Sequence, residues 1–509
     1  MRRINVKIPS AAGLLVLFAA GCSTTFGPVK PYPSKKNPIV TQEDMRYHVI
    51  HVDRDGDFYE IPERVRGKDQ RVDYRVAEKR DLREQVAIMR AAYGGIFRDM
   101  DRHAADRVDP SRPLTVTIFI HGGLMPPEKK LVEEMEILAL MREDDVYPVF
   151  INWLSGPVTT MMDHFFRVRS GEVSESKVTY VTAVPYMGLY VLKTIGEAPL
   201  AWWRSLKHYY YGTTQPVKKN VSPPDGWNAE GRLHAAPSED YRYKWSDGPL
   251  YVLGLPSRVI MTPFLYSWGT PAWKSMERRT HAMFVRQRDF EPNASAGQAA
   301  GTTNQRLNGD FQYSDHAYGA VYYFCAMFSE ELRRRRAADG EEPWKNMRIN
   351  LIGYSMGGIA VNHVLKTAPE LPIDNIVFIA SADNLRNYLD ITVEYVKARA
   401  REGTPPRVHN VFLHPKNDNT ELNYASMVPP GSLLTWVDHT YESPEYVLQR
   451  TAGRWENMRQ ILKLIPDDGL EQCFHYKMFG RNKSNDSQPQ RHIEMERARY
   501  GYWREDYWK

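Results

Sequence analysis

Residues 353–357 read Gly-Tyr-Ser-Met-Gly, a G-x-S-x-G spacing centred on Ser355. A serine hydroxyl is a weak nucleophile unless a base activates it and the backbone presents it well. Five residues with three fixed are a weak pattern, so the setting matters more. Met347–Gly353 (MRINLIG) leads in as a short apolar run that predicts a buried strand. Gly357–Thr367 (GGIAVNHVLKT) leads out with apolar residues at helical spacing. A strand-turn-helix of this kind lifts the serine Oγ above a sheet, beside the partial positive charge of a helix N-terminus, where an oxyanion is favoured. The plain alternative is a serine capping an ordinary helix.

The elements that must position this serine are legible on both sides of it. Leu114–Ile120 (LTVTIFI) predicts a strand running into His121-Gly122-Gly123-Leu124. Glu128–Arg142 predicts a helix and Val146–Trp153 the next strand. That order is a βαβ unit and implies parallel pairing. Regularity returns with a helix over Ala317–Arg336. After the serine motif come strands at Asn375–Ala380, Val408–His414 and Cys473–Phe479, with helices expected over Leu385–Arg401 and Thr451–Leu464. The fold class read from this alternation is α/β, a mostly parallel doubly wound sheet. It is interrupted by one large aromatic-rich insertion at 154–315.

At this point the chain resembles the α/β-hydrolase superfamily. GYSMGG is similar to the nucleophile elbow of lipases and esterases, and His121-Gly122-Gly123 stands where such enzymes place their second oxyanion donor. The resemblance spans roughly 110–153 and 316–500 but not the insertion. It implies a triad in the order Ser, acid, His. Ser355 would be the nucleophile and His492, in the loop after the last strand, the base. Asp418, just past the strand at 408–414, would be the acid. Asp383 is its rival and Glu421 a third choice. The implied oxyanion hole pairs the N–H of Met356 with that of Gly123 or Leu124. His121 reads as a turn-shaping residue. In this superfamily such an insertion often forms a lid over the serine; its aromatics can line an acyl pocket, face a membrane interface, or simply pack.

The N-terminus resembles a bacterial lipoprotein signal peptide. Arg2, Arg3 and Lys7 precede the apolar Ala11–Ala20, which ends in Ala19-Ala20-Gly21-Cys22. The run is too short for a comfortable membrane span. The resemblance implies a signal at 1–21, lipidation of Cys22 (a palmitate-type acyl anchor), and a Pro- and Lys-rich tether at 22–45. Ser23 after the cysteine implies the outer membrane, facing the periplasm. The catalytic domain would then run from 46 to 153 and from 316 to 509. Cys325 and Cys473 are too few for a disulfide framework.

The remaining composition narrows the choices. A 509-residue chain with 42% hydrophobic and 25% charged residues has material for a large core. A net charge of +5 with its longest basic run at Arg333–Arg336, a predicted helix end, gives no reason to expect a nucleic-acid partner. No metal-ligand spacing stands out, and Asp53–Asp57 lacks the downstream glutamate of a calcium loop, so no cofactor or metal is expected. The expectation is a membrane-anchored serine hydrolase acting on carboxylic esters, acyl or lipid esters first. Thioesters, amides and peptides use the same machinery, and a non-catalytic binding lipoprotein is the rival class.

Overall fold

The computed structural model describes residues 42–59, 82–107, 112–214, 221–235, 255–285, 318–337 and 344–509, with short breaks within the third, fourth and last ranges. The leader, Cys22 and the tether up to residue 41 lie outside the described residues. Gln42–Met45 already forms a helical turn with Met45 buried in the core, so the folded unit begins slightly earlier than the tether boundary at 45 suggests.

Among the described residues, eight strands form one all-parallel sheet. They are β1 (Val49–Val52), β2 (Thr115–Ile120), β3 (Val146–Trp153), β4 (Leu233–Ala235), β5 (Arg348–Tyr354), β6 (Asn375–Ile379), β7 (Arg407–Leu413) and β8 (Phe474–Phe479). Their spatial order is β1-β3-β2-β5-β6-β7-β8-β4. The protein is therefore α/β, as its alternation predicts. The long apolar strands are buried almost along their whole length, as parallel strands covered on both faces must be. The helices that join them include α1 (Leu82–Ala105), α2 (Pro127–Glu143), α6 (Ala320–Ala337) and α7 (Gly357–Thr367).

The chain grows outward from β2 in both directions, to β3 on one side and to β5 and its successors on the other. Such a reversal leaves a crevice at the strands' C-terminal ends. Ile120 pairs with Gly353, so the His121-Gly122-Gly123 turn and the Ser355 turn leave adjacent strands at the same level.

Two strands escape sequence reading. β1 is a four-residue all-buried edge segment with no alternation, and β4 is three residues long and defined only by its pairing with β8. The helix expected over 451–464 breaks into Trp455–Met458 and a 3₁₀ turn at Leu462–Leu464. Its first residues are drawn elsewhere. Arg454 is extended and committed to buried carboxylates, and Gly453 lies against the Ser381 backbone, where a Cβ has no room.

The insertion contributes α3 (Pro157–Phe166), α4 (Ala183–Thr214) and α5 (Leu255–Ala282). The last packs along α4 and also touches α3 and α7. Because β4 belongs to the main sheet, the segment expected as a lid also supplies that sheet's final strand. Arg279 of α5 is buried and fixes this helix to the exit of β3, donating to Asp163 (2.5 Å) and to the Leu154 carbonyl (2.6 Å). The aromatic C-terminal tail is core: Tyr502 packs on Phe119 with centroids 4.5 Å apart and ring planes tilted by 37°, and Trp503 donates to Asp144 at 2.6 Å. Cys325 and Cys473 are buried free thiols.

Candidate active site

Ser355 sits at the end of β5 with φ of +52°, in the left-handed region. A non-glycine residue there costs on the order of 1–3 kcal/mol and persists only when its surroundings enforce it. Here the Ser355 N–H donates to the Ile379 carbonyl (2.9 Å), and its own carbonyl accepts from Gly358 (3.0 Å) and Ala382 (2.8 Å). Gly357 permits the turn, because a Cβ there would collide with the Ile120 carbonyl oxygen on β2.

His492 comes from the loop beyond β8, as the resemblance implies. Ser355 Oγ lies 3.0 Å from its Nε2, with both side chains buried. The backbone of His492 is gripped from two sides. Its N–H donates to Glu421 Oε2 at 3.0 Å, and its carbonyl accepts from the Tyr354 hydroxyl at 2.8 Å. Tyr354 is the first variable residue of the serine motif, so one turn presents the serine and holds the histidine loop. The motif gives no hint of this second task. Burial alone lowers the His492 pKa to about 4, so the imidazole is neutral near pH 7 and Nε2 is free to accept the serine proton.

None of the acids is in contact with the His492 ring, whose Nδ1 has no hydrogen-bond partner among the described residues. Asp418, the acid expected from its place in the chain, points elsewhere. Its carboxylate receives Arg454 Nε at 2.6 Å and the Ser432 hydroxyl. Arg454 is a buried hub that also reaches Asp438 (2.9 Å), Asn419 (2.6 Å) and Glu456 (3.0 Å). Burial works against its charge, but Asp418, Asp438 and Glu456 outweigh that and hold its pKa up. A buried guanidinium competes for Asp418 with any neutral ring, and it wins. Asp383 is likewise occupied, by Asn362 (2.6 Å), Asn387 (2.8 Å) and the Asn384 N–H (2.8 Å); burial raises its pKa to about 6 despite them. Glu421 is the only one of the three that touches His492, through the backbone N–H. Burial pushes its carboxyl up to about 8 against that hydrogen bond.

The three N–H groups expected as oxyanion donors divide. Leu124, with φ of +68°, gives its N–H to the Ser155 carbonyl at 2.9 Å and is engaged. The N–H groups of Met356 and Gly123 make no backbone hydrogen bond among the described residues, and the two residues adjoin: a Cβ on Gly123 would lie 2.6 Å from Met356 Sδ. Met276 of α5 closes over the same glycine, at 3.3 Å from that Cβ position. His121 shapes the turn. Its Nε2 accepts from the Trp153 N–H (3.2 Å), which leaves Nδ1 to donate to the Gly122 carbonyl (2.6 Å). No group of three or more His, Cys, Asp or Glu suited to a metal occurs among the described residues. Comparison of the chain with protein-family models, curated proteins and solved structures finds no match in any of the three.

Proposed function

We propose that this chain is a serine hydrolase of the α/β-hydrolase type that cleaves carboxylic esters, acyl or lipid esters first. The observation that carries the reading is the 3.0 Å contact between Ser355 Oγ and His492 Nε2, made from a serine held at φ +52° on a strand-to-helix turn. In this reading His492 takes the Ser355 proton as Oγ attacks the ester carbonyl. The tetrahedral oxyanion is met by the N–H groups of Met356 and Gly123. The imidazolium then gives its proton to the departing alcohol, and water repeats the sequence on the acyl-serine.

Glu421 is the acid this geometry favours. Of the three acids, Glu421 is the one whose carboxyl reaches His492 at all, through the backbone N–H at 3.0 Å, and serving Nδ1 requires a different side-chain rotamer. Asp418 and Asp383 remain the alternatives that chain order suggests. Two observations favour the rival reading, a binding protein that has kept the fold: Nδ1 meets no carboxylate among the described residues, and Ser355 is covered. A panel of p-nitrophenyl esters of increasing acyl length decides between them. Turnover that Ser355→Ala abolishes supports the hydrolase; no turnover of any ester by the parent protein contradicts it.

The location belongs to the same proposal. The protein would be carried on the outer membrane, facing the periplasm, through lipid on Cys22.

A further inference from the structure

The outward face of α4 is apolar over its length. Leu189, Leu192, Ile195, Trp203, Leu206 and Tyr210 are each between 61% and 67% exposed. At helical spacing these six side chains fall within a sector of about 120°. The opposite face is the one that packs inward: Thr194, Ala198 and Ala201 are buried, and Trp268 of α5 donates to Thr194 Oγ1 at 3.0 Å. The exposed face continues onto α5. Trp202 donates to the Val259 carbonyl at 2.7 Å, and Leu255, Val259 and Ile260 beside it are about half exposed. Together they make an apolar surface of roughly 1,000 Å², against a few hundred for the largest patch on an ordinary monomer.

Charge identifies what covers it. The charged residues of α4, from Ala183 to Lys207, are Lys193, Glu197, Arg204 and Lys207, all on one border of the stripe. Glu197, the single acid among them, accepts from Ser267 Oγ at 2.9 Å and pairs with Lys193 at 3.9 Å. Three cations against one acid leave this border net positive, and Trp203 and Tyr210 stand next to Lys207 at helical spacing, while Trp202 lies on the opposite border against α5. An apolar stripe with indole and phenol rings at a basic edge has the make-up of a helix lying in a lipid headgroup layer. No helix of the described residues is long and apolar enough to cross a membrane, so the helix lies on the bilayer rather than through it.

We infer that the α4 face, with the N-terminal turns of α5, docks on an anionic lipid surface. The inference draws on the anchored location proposed above, because a chain tethered at residue 22 keeps the face near a bilayer; it does not depend on Ser355 being a nucleophile. It also gives α5 a second meaning. That helix runs from this face at Val259 to Met276 over Gly123, about 25 Å at 1.5 Å per residue.

The full chain, purified in detergent, is reconstituted with vesicles of phosphatidylglycerol and phosphatidylcholine carrying brominated acyl chains, which quench tryptophans that enter the bilayer. The expected result is quenching that is largely lost in Trp202→Phe/Trp203→Phe. It falls several-fold in Leu192→Glu/Leu206→Glu, whose circular dichroism and Tm match the parent because both side chains are already exposed. Equal quenching in the parent and both variants overturns the inference. So does a vesicle-free dimer that Leu192→Glu/Leu206→Glu dissociates, which assigns the face to a second copy. Failure of the anchor looks different: it abolishes co-flotation of Leu192→Glu/Leu206→Glu, whereas failure of the docking face leaves flotation intact and removes only the quenching differences.

Discussion

Two conservative substitutions, Asp418→Asn and Glu421→Gln, should have opposite signatures, and the structure sets the size of each. Asp418 is one of three carboxylates around buried Arg454, bonded to Nε at 2.6 Å. Breaking a buried pair costs about 3–5 kcal/mol when the remaining charge is stranded. Here Asp438 and Glu456 stay in place and asparagine still offers an acceptor, so the lower end applies, about 3 kcal/mol. With an unfolding entropy of about 2.1 cal/mol/K per residue, this is a fall in Tm of about 3 °C for a chain of this size. The geometry gives Asp418 no contact with His492, so kcat below the transition should stay within a few-fold of the parent. Glu421→Gln reverses the pattern. Glutamine still accepts the His492 N–H, and stability should hold. Charging His492 during catalysis, however, works against the burial that lowers its pKa from 6.5 to about 4, a penalty of about 3 kcal/mol. Offsetting that penalty is the task of the ionised acid, so above pH 8, where this carboxyl is charged, its loss should slow ester turnover by roughly 10²–10³-fold. The assay is steady-state ester hydrolysis paired with thermal unfolding monitored by circular dichroism. A collapse of kcat in Asp418→Asn with Glu421→Gln near parental would return the acid role to Asp418 and refute the reasoning.

Four further outcomes follow, three from the same geometry and one from the proposed anchor. If ionised Glu421 supports the imidazolium, kcat/KM should rise with pH through about 8, the value to which burial lifts this carboxyl, and Glu421→Gln should flatten that limb in a pH–rate profile. The sign for stability is opposite. A raised carboxyl pKa contributes stability that is full below the unfolded value near 4.5 and is lost as pH rises through about 8, which denaturant titrations across that window would detect. Gly357→Ala should destabilise by several kcal/mol or prevent folding, because its Cβ has no room beside the Ile120 carbonyl; a parental unfolding midpoint would show that the strands can separate there. Cys22→Ser should move the protein from the membrane fraction to the soluble one, and retention on membranes would contradict anchoring through that residue.

Much of the sheet was legible because its strands are apolar, β-branched runs whose signal is local. The six strands expected from β2 to β8 stand within about a residue of their predicted bounds, and the serine turn stands where MRINLIG meets GGIAV. β1 and β4 were not legible, since three or four residues take their strand character from a partner supplied far along the chain. The same distinction runs through the site. Ser355 and His492 come together because a motif and a chain-end loop mark them. Asp418 carries no sequence mark of its commitment to Arg454, which is 36 residues away and turns inward only because a predicted helix starts late. The grip of Tyr354 and Glu421 on the His492 backbone is equally silent, because backbone groups leave no residue-type signature. Helix α4 shows the converse: in the sequence its apolar content fits an acyl pocket, a membrane interface or plain packing, and only the fold reveals which of its side chains face outward.

The central claim is that Ser355 is a nucleophile activated by His492. A fluorophosphonate probe tests it most directly, since the probe reacts with an activated serine and needs no knowledge of the substrate. Intact-mass and peptide mass spectrometry of the treated protein should show one adduct, on the peptide that contains Ser355. The adduct should be absent in Ser355→Ala and formed far more slowly in His492→Ala. A parent protein that stays unlabelled, or one labelled equally well without Ser355, would contradict the account.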